Sequence, residues 1–434
     1  MLDSAATGSL GTQSVLFAAP RAALVLHCDG RLQADGFTAH GTGFLEVLDN
    51  WWLAECTPPT AVPAPGARRF AGAWALYFAY ELAGEIEPRL ALPRTPLPWI
   101  AFAVRTQAAL VYDFGSARAF AVAEEGAVDA LGELVADAAA AARAGPESAA
   151  ATAWQGEDSL LGPVREEDPQ AYLERVRRAK EYIRAGDIYQ ANLSRPWEVT
   201  TRSASAAALY ARLCAANPAP FAALAQREGV AIMSSSPERL VRVTGRRIDT
   251  RPIAGTRPRS GTAGDDPREM TELAAHPKER AEHVMLIDLE RNDLGRVCEA
   301  GTVRVDELMT IESYPHVHHI VSNVSGLLRR EVTPVAAVRA VFPGGTITGC
   351  PKFRCMQIIA ELEGAGRGAY TGSLGYLTRA GDLDLNILIR TMTLSGEHLS
   401  FRAGAGIVAD SDPQRELDET RAKARGLLAA LGAV

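Results

Sequence analysis

The sequence is short of several features that mark common classes of protein. It has 6 cysteines, at Cys28, Cys56, Cys214, Cys298, Cys350 and Cys355, and no Cys-x-x-Cys pair. That spacing gives no disulfide framework or zinc ribbon and fits a reducing compartment. Basic charge is not in excess, since 45 lysines and arginines face 52 aspartates and glutamates for a net charge of −7. A chain without a basic field does not gather a polyanion, so no nucleic-acid partner is expected. No uncharged apolar run reaches the roughly 18–20 residues of a membrane span, and no membrane association is expected. The opening Met1-Leu2-Asp3-Ser4 carries an acid where an export signal carries lysines, so a cytoplasmic location is expected. Internal repeats are absent as well.

What is present is a chain of 434 residues, 47% of them apolar, long enough to bury a large core in one big domain or two. Composition changes most at Ala136–Ala153, where small residues replace large apolar ones. A linker or an exposed helix end is expected there. It separates residues 1–150, with short apolar runs that read as strands of an α+β region, from residues 160–434. In the second region Asp168-Pro169 forms an N-cap with proline at the first helical position. Tyr172, Val176, Ala179 and Ile183 follow at helical spacing, and Gly186 closes the helix. From Asp187 to Ser194 the period changes to two, which puts Ile188, Gln190, Asn192 and Ser194 on one face of a strand. A polar strand face in an apolar protein suggests a pocket wall.

Several segments hold groups suited to chemistry. Glu279 and Glu282 lie three apart on an expected helix, and Glu416 and Glu419 repeat that spacing on the last helix, capped by Asp412-Pro413. Two such pairs suit one Mg²⁺, a hard cation with oxygen ligands, or else form solvated helix faces. The run Phe342–Lys352 is glycine-rich but lacks the phosphate-loop spacing. It reads either as a backbone cradle for a carboxylate, with Lys352 as counter-charge, or as a tight turn. His316, His318 and His319 cluster, with one of them a candidate acid/base or hydrogen-bonding residue. Ser234–Arg239, Arg251–Arg259, Ile389-Arg390-Thr391 and Ala403–Gly406 add a carboxylic acid, arginines and exposed amides, the parts of a site for a small dianion.

Taken together and in this order, GDIYQANLS, SSSPERL, TRPIAGTRPR, RAEHVMLIDLERNDLGRV, FPGGTITGCPK, GSLGYL, IRT and AGAGIVADS closely resemble the chorismate-utilising enzymes, in particular the large subunits of aminodeoxychorismate synthase and anthranilate synthase. The likeness runs from about Asp168 to Leu431 and is diffuse over the first 150 residues. It implies an α+β fold of two large, mainly antiparallel sheets wrapped by helices around a central cleft that holds chorismate and Mg²⁺. Glu279, Glu282, Glu416 and Glu419 would form the metal shell, with Glu282 and Glu419 as direct ligands. Glu238 would be the general acid that protonates the departing 4-hydroxyl, and His319 would lie near the reacting ring. Lys352, Thr348, Tyr376, Arg390 and the Gly404-Ala405-Gly406 backbone would hold substrate.

Gln190 stands where relatives that add water carry a lysine base, so the sequence reads as aminating. The product is divided between two subgroups. Asn192, Ser236, His318-His319 and Thr348 favour aminodeoxychorismate synthase, the main expectation, and so does the lack of a Leu-Leu-Glu-Ser feedback motif at Val25-Leu26-His27-Cys28. Against it, the lysine nucleophile of that subgroup is replaced by Ala254, as in anthranilate synthase. The chain has no glutaminase motif, so by resemblance a glutamine amidotransferase subunit would deliver ammonia.

Overall fold

The computed structural model describes residues 1–6, 10–57, 66–150, 161–202, 204–258, 271, 277–313 and 317–433, with the backbone alone at 68, 144–150, 254–258, 277–279, 313 and 317–319. Every strand pairing among them is antiparallel, as the resemblance implied, and the ladders trace two large sheets.

The first sheet is built on two 15-residue strands, Gln13–His27 and Trp99–Asp113, paired along almost their whole length. It continues through Ala73–Phe78, Ser373–Thr378, Leu383–Asn386, Arg239–Thr244 and Arg247–Thr250 to Val317–Leu327. The second runs from Phe221–Arg227 through Val230–Ser236, Thr391–Ser395 and His398–Ile407 to Gln190–Thr200. Leu2–Asp3 pairs with a strand of each. Strands of residues 1–150 thus share ladders with strands of residues 160–434. The helix Val128–Ala150 runs into the composition change, and residues 151–153 of that stretch lie outside the described residues.

Local sequence explains the helices that reach the site. Pro169–Arg184 starts where Asp168 accepts a hydrogen bond from the Gln170 amide and ends before Gly186, which has a positive φ. Its apolar stripe of Tyr172, Val176 and Ala179 packs on Leu193, Ala405 and Ile407. Pro413–Ala430 begins with the Asp412 side chain accepting from the Arg415 amide, and buries Leu417, Ala424 and Leu427. The larger core lies between the first sheet and its helices, with Trp74, Phe78, Leu377, Val241 and Phe342 among its buried members. No helix among the described residues is long and apolar enough to cross a membrane.

Candidate active site

The strand Gln190–Thr200 forms one wall. It pairs with the Gly404–Gly406 segment on one side, and at Gln190 and Ala191 with Gly349-Cys350 on the other. Ala191 and Leu193 turn into the apolar core while Gln190 and Asn192 face the site, so the alternating pattern is realised from residue 190. Ile188, ahead of the strand, is packed in the core.

Gln190 Nε2 donates to Glu282 Oε1 at 3.0 Å, which fixes the amide orientation because a carboxylate only accepts. Gln190 Oε1 is buried with no hydrogen-bond partner among the described residues. Close packing here demands glycine. A Cβ on Gly406 would lie 2.3 Å from Gln190 Nε2, and one on Gly404 would lie 2.7 Å from the Tyr370 hydroxyl.

Glu238 is 5% exposed. Burial pushes its carboxyl up to about 7, against the opposing pull of Thr346 and of the cations Lys423 and Arg390. Its Oε1 and the Thr346 hydroxyl are both buried without a hydrogen-bond partner among the described residues. A carboxyl in this state carries a proton near neutral pH and can give it up, as a general acid must. Arg390, held at a positive φ of 53°, is the second key group. Its guanidinium makes no hydrogen bond or ion pair with a described residue, while it feels the charges of Glu238 and Glu419 and the Tyr370 phenol. A guanidinium with no anionic partner among the described residues suits a substrate carboxylate.

The structure gathers some expected residues and separates others. Glu238, Gln190, Glu282, Arg390, Gly404, Ala405, Gly406, Glu416 and Glu419 surround the same strands, with Glu419 at 2.6 Å from Lys423 Nζ and Lys423 Nζ donating to the Gly404 carbonyl at 3.1 Å. Tyr376 lies apart from them. Its ring packs 5.0 Å from Phe70 and 6.4 Å from Phe17, on a separate cavity of about 420 Å³ that Arg239 and Asp384 also line. Tyr370 is the tyrosine beside Gly404. Lys352 is also engaged elsewhere, its Nζ paired with Asp293 and bonded to the Val341 carbonyl. The Thr348 hydroxyl closes the glycine-rich turn on the Gly344 carbonyl at 2.8 Å, and Thr346 is the threonine next to Glu238. The side chains of Glu279, His318 and His319, and all of His316, lie outside the described residues. The His319 backbone is placed, paired with Thr256 and Glu312.

Sequence reading therefore passed over Tyr370, Thr346 and Lys423. Lys423 follows Glu419 by four residues on a helix, a spacing that puts both on one face and could have revealed it. A fourth group, Arg367, joins the segments behind the site. It donates to the carbonyls of Asn192 at 2.7 Å and Ile347 at 3.1 Å, and its guanidinium lies over the rings of Tyr80 and Tyr370. Glu282, Glu416 and Glu419 offer the hard oxygens that suit Mg²⁺, although among the described residues no three acidic, histidine or cysteine side chains already converge as a cage.

An arginine with no anionic partner among the described residues, near a carboxyl that burial pushes up to about 7, is equipment for binding a small anion. The family model described as chorismate binding enzyme matches residues 18–429, and the chain belongs to that family. It is 52% identical over 265 residues to an anthranilate synthase component I-like protein of Synechocystis, covering 61% of this chain and 55% of the relative. It is 42% identical over 388 residues to anthranilate synthase component 1 of Streptomyces coelicolor, covering 86% and 75%. It is 46% identical over 273 residues to aminodeoxychorismate synthase component 1 of Bacillus subtilis, covering 63% and 57%. The matched stretches thus span 55% to 75% of these relatives' lengths. Anthranilate synthase component I from Streptococcus pneumoniae has the same fold, with a TM-score of 0.83 at 28% identity over 97% of this chain and 93% of that one.

Proposed function

We propose that this chain aminates chorismate as the large subunit of an anthranilate synthase, releasing anthranilate and pyruvate, with ammonia supplied by a glutamine amidotransferase subunit. The observation that carries the amination is the neutral Gln190 amide at the site, its Nε2 committed to Glu282 and its Oε1 left to accept from an incoming N–H. Arg390, Lys423 and the backbone of Gly404-Ala405-Gly406 hold the substrate carboxylates. Glu238 gives its proton to the 4-hydroxyl, which leaves as water while ammonia bonds to the ring at C2. Glu282, Glu416 and Glu419, with Glu279, hold Mg²⁺, which supplies a hard positive charge for a substrate carboxylate.

Two observations favour anthranilate over the aminodeoxychorismate reading. Ala254 cannot be the nucleophile that the resemblance assigns to a lysine there, and both Synechocystis and Streptomyces relatives carry anthranilate synthase names. The second reading, 4-amino-4-deoxychorismate for folate synthesis, is supported by the Bacillus relative and by Val25-Leu26-His27-Cys28 in place of a feedback motif. A mass-resolved product assay with chorismate, Mg²⁺ and ammonium, with and without aminodeoxychorismate lyase, separates them. Anthranilate formed without the lyase is the expected result. An amino-chorismate mass that becomes para-aminobenzoate only with the lyase would establish the second reading.

A further inference from the structure

Arg367 is 3% exposed, and its planar guanidinium carries five N–H donors that burial obliges it to satisfy. Nε and Nη2 meet the two oxygens of Glu363 at 3.0 and 2.6 Å, which sets the plane of the fork. Nη2 also donates to the Asn192 carbonyl at 2.7 Å. Nη1 donates to the Ile347 carbonyl at 3.1 Å and to the Thr371 hydroxyl at 3.4 Å. A counter-charge for Glu363 needs only the first pair of these bonds, and that carboxylate is held by Ser194 and Arg402 as well. The bonds to the two carbonyls do something else.

Those carbonyls belong to opposite sides of the site. Asn192 lies on the strand Gln190–Thr200, two residues after Gln190 and on the same face. Ile347 lies in the glycine-rich turn, next to Thr346, the neighbour of Glu238. The Asn192 amide donates to the Thr348 carbonyl at 2.9 Å, and the guanidinium spans Asn192 and Ile347 from behind. Strand and turn cannot slide past one another without breaking one of these bonds. Arg367 is held in turn from residues 1–150. One oxygen of Glu81, Oε1, accepts from the amides of Arg367 at 2.7 Å and Gly368 at 3.1 Å, and the Tyr80 amide donates to the Gly368 carbonyl at 3.0 Å. The guanidinium lies 4.9 Å over the Tyr80 ring. The backbones touch as closely: a Cβ on Gly366 would lie 2.1 Å from the Arg94 carbonyl oxygen, and one on Gly372 would lie 2.2 Å from that of Phe78.

We propose that Arg367 is a positioning residue that locks the strand bearing Gln190 to the glycine-rich turn, and that Glu81 and Tyr80 hold it in place from the N-terminal region. The role rests on the reading of Gln190 as the amide that receives ammonia. A shift of the strand by a fraction of an ångström moves that amide relative to the ring it serves, and such misplacement is costly in a reaction between two bound molecules. Lysine keeps the charge at this position but not the fork, so it cannot hold both carbonyls and Glu363 at once.

Steady-state rates of Arg367→Lys with chorismate, Mg²⁺ and ammonium test the role. KM for ammonium is expected to rise by about 10-fold or more, while KM for chorismate stays within about 3-fold. A smaller folded fraction lowers the apparent kcat and moves neither KM, so the split separates positioning from stability. Glu81→Leu, which removes the acceptor from both amides, should move KM for ammonium in the same direction by less, and it serves as the test if Arg367→Lys does not fold. Glu81→Gln keeps an oxygen that can accept from both amides and should stay near wild type; a Glu81→Gln as impaired as Glu81→Leu would overturn the hold assigned to Glu81. An unchanged KM for ammonium in Arg367→Lys and Glu81→Leu, or equal rises in both KM values, would overturn the role of Arg367. The wild type separates the two claims: if it forms no aminated product from chorismate and ammonium, the reading of the reaction falls and the role with it, whereas a wild type that aminates leaves only the role at stake.

Discussion

Two buried glutamates show how this protein divides its charge. Glu363, on the helix Lys352–Glu363, accepts hydrogen bonds from the amide and hydroxyl of Ser194, from Arg367 Nε and Nη2 and from Arg402 Nη2. Those partners outweigh burial and pull its carboxyl down to about 2. Glu238 is as deeply buried but one of its oxygens has no hydrogen-bond partner among the described residues, and burial pushes it up to about 7. One carboxylate is fixed in an ion-pair network that ties two sheet strands to a helix. The other has its neutral form favoured by burial. Burial pushes both carboxyls upward; the donors around Glu363 overcome it, and the neighbours of Glu238 do not.

The contrast can be broken from either end. Glu238→Gln should lower the rate of chorismate consumption by roughly 10²–10⁴ with little loss of stability, and a rate near wild type would remove it as the acid. Glu363→Gln should do the reverse, costing ~3–5 kcal/mol of stability because it leaves Arg367 and Arg402 buried without their counter-charge. Its effect is read by denaturant unfolding at neutral pH. The pH dependence follows from the sign of the shift. With its folded value below that of the unfolded chain, Glu363 contributes stability above about pH 4.5 that is lost as pH falls towards about 2. The Glu363→Gln variant should show a shallower acid limb over that range.

Smaller effects sharpen the picture. Gly406→Ala places a Cβ on Gln190 Nε2 and should cost about 1–3 kcal/mol of transition-state stabilisation. Measured as kcat/KM with ammonium, no change would mean that the amide need not keep its place. The smallest comparison is between two tyrosines. Tyr370→Phe should raise KM for chorismate more than Tyr376→Phe, since only Tyr370 lies beside Gly404, and the opposite order would return Tyr376 to the site.

Much of this was legible because local rules act locally. Asp168-Pro169 and Asp412-Pro413 announced their helices through caps, and the alternation expected from Asp187 holds from Gln190 to Leu193. Glu238, Arg390 and the Ala403–Gly406 segment, read from their motifs as parts of one site, lie around the same strands. What was not legible depends on partners remote in sequence. Lys352 looks like a free cation until Asp293, 59 residues away, takes it. Thr348 looks like a ligand for substrate until its hydroxyl folds back on Gly344. Tyr376 lies in the GSLGYL motif and Tyr370 two residues before it, but Tyr370 is in a turn beside Gly404, whereas Tyr376 is on a strand whose face turns to Phe17 and Phe70. The N-terminal residues gave little signal because their strands are completed by pairing with the second half of the chain.

The protonation of Glu238 can be observed directly by infrared difference spectroscopy of the carboxyl C=O band across about pH 5 to 9, comparing the wild type with Glu238→Gln. A band of a protonated carboxyl that titrates near pH 7 in the wild type and is missing from the variant is the result this account predicts. A Glu238 that titrates in the ordinary carboxylate range near 4.5 would contradict it, because a site with no proton to give at neutral pH could not release the hydroxyl in the way proposed.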